Sequence, residues 1–163
     1  MDFSKLHKIK AFVFDIDGVM TDGDILITDE GNFLRKMNMK DGYALHKAKA
    51  EGYKMAAISG STQKGVFQRL KHIGIEDVYD KCLNKIDQFN KWLAKEGLKA
   101  EEVMYMGDDC IDLECIKAAG WGVAPNDAVE EVIAIADFVT NANGGRGAVR
   151  EAVTMVMKVQ GKW

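Results

Sequence analysis

Short apolar runs alternate along this chain with longer amphipathic segments, and nearly every run stops at an acid or a glycine. Ala11-Phe12-Val13-Phe14 ends at Asp15, Met55-Ala56-Ala57-Ile58 at Ser59-Gly60, and Val103-Met104-Tyr105-Met106 at Gly107-Asp108-Asp109. Trp121-Gly122-Val123-Ala124 and Phe138-Val139 are further runs of the same kind. Continuous apolar runs bounded by turn residues predict strands buried on both faces. The stretches between them predict helices at about 41–52, 62–73, 84–97, 110–119 and 127–135, with a closing helix within 145–158. Strands alternating with helices give an α/β fold, a doubly wound, Rossmann-like parallel sheet.

One segment breaks this alternation. After Asp22-Gly23, the stretch Asp24–Thr28, the turn residues Asp29-Glu30-Gly31-Asn32, and the stretch Phe33–Asn38 predict a β-hairpin inserted after the first strand. It would stand over the carboxyl end of that strand, where open parallel sheets bind ligands. Such a hairpin is a lid, an oligomer contact, or a cover for the sheet edge.

Composition narrows the class. The 163 residues are 47% hydrophobic and 29% charged, with a net charge of -3. That suits one globular domain over 1–163, burying roughly 70% of its unfolded surface. The slight acidity argues against nucleic acid as a partner. No apolar run approaches the ~20 residues of a membrane span, and Met1–Lys10 does not read as a signal peptide, so a cytoplasmic protein is expected. Cys82, Cys110 and Cys115 have no paired spacing, and His7, His46 and His72 no zinc-ligand spacing. Most of the nine methionines, Met104 and Met106 among them, are expected in the core.

The acids carry the chemistry. Asp15 and Asp17 follow the first strand; Asp108, Asp109 and Asp112 follow the strand at 103–106. If those strands are neighbours, the carboxylates converge and repel unless a cation intervenes or some protonate. A hard divalent ion, Mg²⁺, resolves that conflict. Asp109 alone also reads as a helix N-cap. Ser59 with Gly60 can receive a phosphate oxygen or cap the helix at 62–73, and Lys85 is a phosphate-directed point charge or a surface lysine.

In this order the residues resemble the haloacid dehalogenase superfamily of phosphohydrolases. Asp15-Ile16-Asp17-Gly18-Val19-Met20-Thr21-Asp22 resembles its first motif, Ser59 the second, Lys85 the third, and Gly107-Asp108-Asp109 with Asp112 the fourth. The hairpin in place of a cap domain, the run Asn38-Met39-Lys40-Asp41-Gly42, and Gly144–Glu151 are similar to its small capless branch. That branch includes phosphatases of 3-deoxy-D-manno-octulosonate (KDO) 8-phosphate, used in lipopolysaccharide synthesis.

The resemblance implies Asp15 as nucleophile and Asp17 as acid/base. It implies Mg²⁺ on Asp15, Asp108 and the Asp17 carbonyl, with Asp109 and Asp112 orienting Lys85 or the metal ligands. Ser59 and Lys85 would hold the phosphoryl group, with Gly60 and Ser61 lining its pocket. The sugar acid would be met by Asn38, Lys40, Asp41, Gly42 and Arg69, within a homotetramer whose hairpins pack together. Arg69 has the plainer alternative of a solvated helix charge. Ser61 and His46 stand where the KDO 8-phosphate enzymes usually carry arginine, which opens nonulosonate 9-phosphates as alternative substrates. Gly144-Gly145-Arg146-Gly147 reads as the flexible start of a C-terminal tail, with Arg146 reaching a neighbour's pocket.

Two other functions share parts of this pattern. A phosphorylation-switch receiver places its acidic pair before the hydroxyl and lysine, whereas here an acidic pair follows them. A non-catalytic oligomerisation module does not need the nucleophile and metal ligands, all of which are kept. A Mg²⁺-dependent phosphatase is the expectation.

Overall fold

The computed structural model describes residues 3–163. The first strand, β1 (Ala11–Phe14), is followed by the hairpin strands β2 (Leu26–Ile27) and β3 (Phe33–Leu34), then helix α1 (Met39–Ala50). Next come β4 (Lys54–Ile58), α2 (Lys64–His72), β5 (Asp77–Tyr79), α3 (Lys85–Glu96) and β6 (Val103–Met106). The chain closes with α4 (Leu113–Ala118), β7 (Trp121–Ala124), α5 (Glu130–Ile133), β8 (Phe138–Val139) and α6 (Ala148–Val159).

The main sheet has six strands in the order β5-β4-β1-β6-β7-β8, and every pairing is parallel. The alternation of β1 explains its two-sided burial. Phe12 and Phe14 join the core beneath α1, α2 and α6, whereas Ala11 and Val13 face the core shared with α3, α4 and α5. The expected α/β doubly wound sheet is therefore the fold, and a hairpin stands where a cap would be inserted.

β5 escaped the sequence pattern. Its three residues sit between Glu76 and Asp80 and are only half-buried at the sheet edge, so no apolar run marks them. The helix expected over 110–119 divides into a 3₁₀ turn at Cys110–Asp112 and α4. The hairpin is thinner than expected. Two residue pairs, Leu26 with Leu34 and Ile27 with Phe33, form its ladder, and a bridge between Thr21 and Met37 closes its base.

The glycine run near the C-terminus is no flexible tail. The Gly145 amide donates to the Val19 carbonyl at 2.9 Å, and Gly144 donates to Asp127 at 2.8 Å. A Cβ on Gly144 would lie 1.8 Å from the Gly18 carbonyl oxygen, so only glycine lets this segment press against the loop after β1. Arg146 pairs with Asp22 of its own chain at 2.9 Å.

Candidate active site

Register brings the acids together. Phe14 at the end of β1 pairs with Met106 of β6 on one side and Ala57 of β4 on the other. Asp15, Gly107-Asp108 and Ser59 therefore emerge side by side at the carboxyl end of the sheet. The chain turns to opposite sides of β1 here, which makes this crevice the topological switch point.

Asp15 is buried, and Lys85 Nζ lies 2.8 Å from its Oδ1. Lys85 opens α3 behind an Asn84 cap and is 1% exposed, so the surface alternative for this lysine is gone. Its second partner is Asp112 Oδ1 at 2.9 Å. The same oxygen accepts the Tyr105 hydroxyl at 2.7 Å, while Asp112 Oδ2 accepts the Asp108 amide at 3.3 Å. Sequence reasoning missed Tyr105 as a member of this network, because a tyrosine inside a buried strand carries no local signal.

Burial alone would push the Lys85 ammonium down, but Asp15 and Asp112 outweigh it and hold the pKa above the usual lysine value. Burial and the Asp112 charge raise Asp15 to about 6, with Lys85 opposing. Burial, then Asp15 and Asp112, raises Asp108 to about 8. One carboxylate oxygen from each of Asp15, Asp108 and Asp112 lies within 4.8 Å of the others. A cation would relieve such crowding.

The oxygens left over decide which acids can serve a metal. Those of Asp112 already accept from Lys85, Tyr105 and backbone amides. Asp108 Oδ1 is buried and without a hydrogen-bond partner. Two hard carboxylates, Asp15 and Asp108, plus a backbone carbonyl, suit Mg²⁺, which keeps its remaining positions for water or phosphate. Gly18, at φ +83°, permits this closeness, since a Cβ there would fall 2.0 Å from Asp108 Oδ2.

Asp17 leaves the strand end in a different direction. Its carboxylate receives Arg35 Nε at 2.9 Å and Nη2 at 3.3 Å, Ser61 Oγ at 2.9 Å, and Gln63 Nε2 at 3.0 Å. Burial raises this group, but hydrogen bonds from Arg35, Gln63 and Ser61 more than offset that and bring its pKa below the usual carboxylate value. Arg35 and Gln63 are functional candidates that no motif marked. Ser59 is buried, and its Oγ accepts the Ser61 amide at 3.1 Å.

Two adjoining hollows follow from this layout. One, of about 330 Å³, is lined by Asp15, Asp17, Ser59, Gly60, Ser61 and Asp108 among others. The other, about 950 Å³, lies between the hairpin and the start of α2 and shares Ser61 with the first. Its lining includes Arg35, Lys64 and Arg69 and no carboxylate.

Arg69 reaches back over the start of α1, with Nη2 at 3.4 Å from Met39 Sδ; a Cβ on Gly42 would come within 2.9 Å of the same nitrogen. Asn38 and Asp41, by contrast, are engaged in the scaffold. The Asn38 carboxamide accepts the Lys40 amide at 2.8 Å as the cap of α1, and the Asp41 carboxylate accepts the Arg150 amide at 2.8 Å. The Lys40 side chain is exposed. Asp109 caps the 3₁₀ turn that follows it, accepting from the Cys110 amide at 2.6 Å.

Comparison with known proteins extends this geometry. A family model described as haloacid dehalogenase-like hydrolase matches residues 69–153. The 3-deoxy-D-manno-octulosonate 8-phosphate phosphatase of Salmonella typhi is 37% identical over 159 residues, 98% of this chain and 85% of that protein. The structure of the same phosphatase from Moraxella catarrhalis, with magnesium, phosphate and KDO bound, superimposes with TM-score 0.95 at 31% identity, covering 98% of this chain and 91% of that one. The Yersinia pestis phosphatase gives TM-score 0.96 at 32% identity, covering 98% and 86%.

Proposed function

The chain belongs to the haloacid dehalogenase-like hydrolases, and from that premise we propose that it is a Mg²⁺-dependent phosphatase converting KDO 8-phosphate to KDO and phosphate. The observation that carries this reading is the Asp15–Lys85 pair at 2.8 Å, set beside the unpartnered buried oxygen of Asp108. It provides a nucleophile, a fixed positive charge and a metal seat at one strand end.

In the first step an Asp15 oxygen attacks phosphorus and the bond from phosphorus to the sugar oxygen breaks. Asp17 gives its proton to that leaving oxygen from its protonated form, which is the minor form in the ligand-free site because Arg35, Gln63 and Ser61 favour the carboxylate. In the second, Asp17 takes a proton from water as the water oxygen attacks phosphorus, releasing phosphate and restoring the Asp15 carboxylate. Splitting one hard displacement in two, with one group serving both proton transfers, is the advantage of a covalent route. Asp15, Asp108 and the Asp17 carbonyl would hold Mg²⁺, which would supply charge screening between nucleophile and phosphate. Lys85 has three donors and uses two on Asp15 and Asp112, leaving one for a phosphoryl oxygen. The Ser59 hydroxyl and the Gly60 and Ser61 backbone line the same pocket.

The sugar acid would occupy the larger hollow, where Arg69 offers a carboxylate-matching fork. We further infer that residues 1–163 work as one phosphatase domain within a cytoplasmic homotetramer, serving lipopolysaccharide synthesis. Supporting the tetramer, Leu26, Ile27 and Phe33 of the hairpin are 66%, 64% and 61% exposed, an apolar face that packing against other copies would cover. Among the described residues no helix is long and apolar enough to cross a membrane.

The test is phosphate release, with and without Mg²⁺, from KDO 8-phosphate, nonulosonate 9-phosphates and hexose phosphates. A Mg²⁺-dependent preference for KDO 8-phosphate is expected. Preference for a nine-carbon acid would overturn the substrate and assign Ser61 and His46 a part in selecting it. Inactivity on every substrate would overturn the phosphatase.

A further inference from the structure

Arg35 is the residue through which the hairpin enters the site. Its neighbours Leu34 and Lys36 are exposed, yet the Arg35 side chain is only 5% exposed, folded inward beneath the hairpin. It donates from Nε to Asp17 Oδ1 and from Nη2 to Asp17 Oδ2, the paired geometry that fixes the plane of a carboxylate as well as its position. Its other hydrogen bond, from Nη1 to the Phe33 carbonyl, is long at 3.4 Å. The hairpin's base has its own anchors, Lys36 to Asp22 at 2.9 Å and the Thr21–Met37 bridge. The Arg35 contact is thus directed at the site rather than required to hold the hairpin down.

The opposite side of Asp17 is met by the loop after β4. Ser61 Oγ and Gln63 Nε2 both donate to Oδ2, and Gln63 also donates to Ser61 Oγ at 2.6 Å. Asp17 is clamped between two elements, and the same two elements form the walls of the 950 Å³ hollow. Of its three side-chain partners, Arg35 alone is charged and alone reaches both oxygens.

We propose that Arg35 is a positioning residue that orients the Asp17 carboxyl for proton transfer to the leaving oxygen, coupling the hairpin's placement to the acid/base step. This rests on the role given to Asp17 in the preceding section. Proton transfer depends steeply on geometry, and a carboxyl freed on one side turns about its Cβ–Cγ bond away from the leaving oxygen. The effect depends on the leaving group. A sugar alkoxide needs the proton, whereas p-nitrophenolate leaves without one.

The experiment compares wild type, Arg35→Ala and Arg35→Lys on KDO 8-phosphate and on p-nitrophenyl phosphate, with Asp17→Asn as the reference for a lost acid. At saturating substrate, Arg35→Ala should lower the single-turnover rate of sugar release by about 10- to 100-fold, the scale of a misplaced catalytic group. The single-turnover rate of p-nitrophenolate release, which ends before the water step that Asp17 also serves, should fall at least about threefold less, and Arg35→Lys should recover part of the loss on the sugar phosphate by restoring a donor to Asp17. Gln63→Leu, which leaves the hairpin untouched, should show the same leaving-group selectivity to a smaller degree. Equal losses on both substrates, a change confined to KM, or no loss at all would overturn the proposal. Failure of the wild type on KDO 8-phosphate would instead overturn the preceding substrate assignment. The Arg35→Ala ratio would then be read on whichever alkyl phosphate the wild type hydrolyses.

Discussion

The floor of the site and the cleft above it are built on different physical terms. On the floor, Asp15, Lys85 and Asp112 are all at most 5% exposed and lie at the ends or starts of regular elements, positioned by strand register and a helix cap. In the cleft, Arg35 comes from a thin hairpin, and Gln63, Lys64 and Arg69 from the N-cap, first turn and last turn of α2. The floor is over-determined, because moving one member leaves a buried charge unpaired. Apart from the Arg35–Asp17 pair, the cleft can be re-lined one side chain at a time, without such a penalty. On the proposed reading, bond breaking rests on the floor together with Asp17 at its edge, and the sugar acid meets the walls.

Removing the floor's cation should break this comparison most severely. Lys85→Met leaves Asp15 and Asp112 facing each other without compensation, a loss of about 3–5 kcal/mol in stability. Turnover should fall by at least about 10²–10³, the usual scale for losing one preorganised charge. Thermal unfolding and a phosphate assay check both; a variant within tenfold of wild type would show that the floor is not over-determined.

A second prediction separates the floor's metal from its protein. Without metal, the carboxyls of Asp15 and Asp108 are raised from 3.8 to about 6 and about 8. Between the unfolded and folded values the native state binds more protons than the unfolded chain, so these groups make metal-free stability fall as pH rises. Below the unfolded value both states are protonated and the penalty vanishes. Mg²⁺ should therefore raise the unfolding temperature more at about pH 8.5 than at about pH 5, each kcal/mol giving about 2–4 °C. An equal or larger gain at the acidic pH would remove Asp15 and Asp108 as the metal seat.

The smallest effect on chemistry is expected at the hairpin face. Leu26→Asp places a charge on the exposed apolar surface and should shift the light-scattering mass from four times 18.1 kDa towards 18.1 kDa. Hydrolysis of p-nitrophenyl phosphate, which uses the floor, should persist within about tenfold. A wild type already monomeric would remove the tetramer.

The same divide separates what the sequence made legible from what it hid. Strands of near-continuous apolar residues announced the parallel sheet and, on the condition that the strands ending in Asp15 and Asp108 are neighbours, the meeting of those carboxylates, because parallel pairing aligns carboxyl ends. The acid-flanked β5 lacks that signal. Arg35 and Gln63 are also invisible, since their partner Asp17 lies 18 and 46 positions away and no local spacing encodes the contact. Asn38 and Asp41 were legible as polar groups at the right place in the chain, but a capping carboxamide or an anchoring carboxylate looks the same in sequence as one that meets a ligand. The glycines at 144 and 145 misled in the opposite sense, as their small size serves close packing here rather than freedom.

The most direct measurement is phosphate release from KDO 8-phosphate by wild type and Asp15→Asn, both with Mg²⁺ and both verified as folded by circular dichroism. The substitution keeps the side chain's size and removes the nucleophilic carboxylate. Turnover by the wild type, with the variant indistinguishable from an enzyme-free control, is the predicted result. Sustained Mg²⁺-dependent turnover by Asp15→Asn would contradict a covalent route through Asp15.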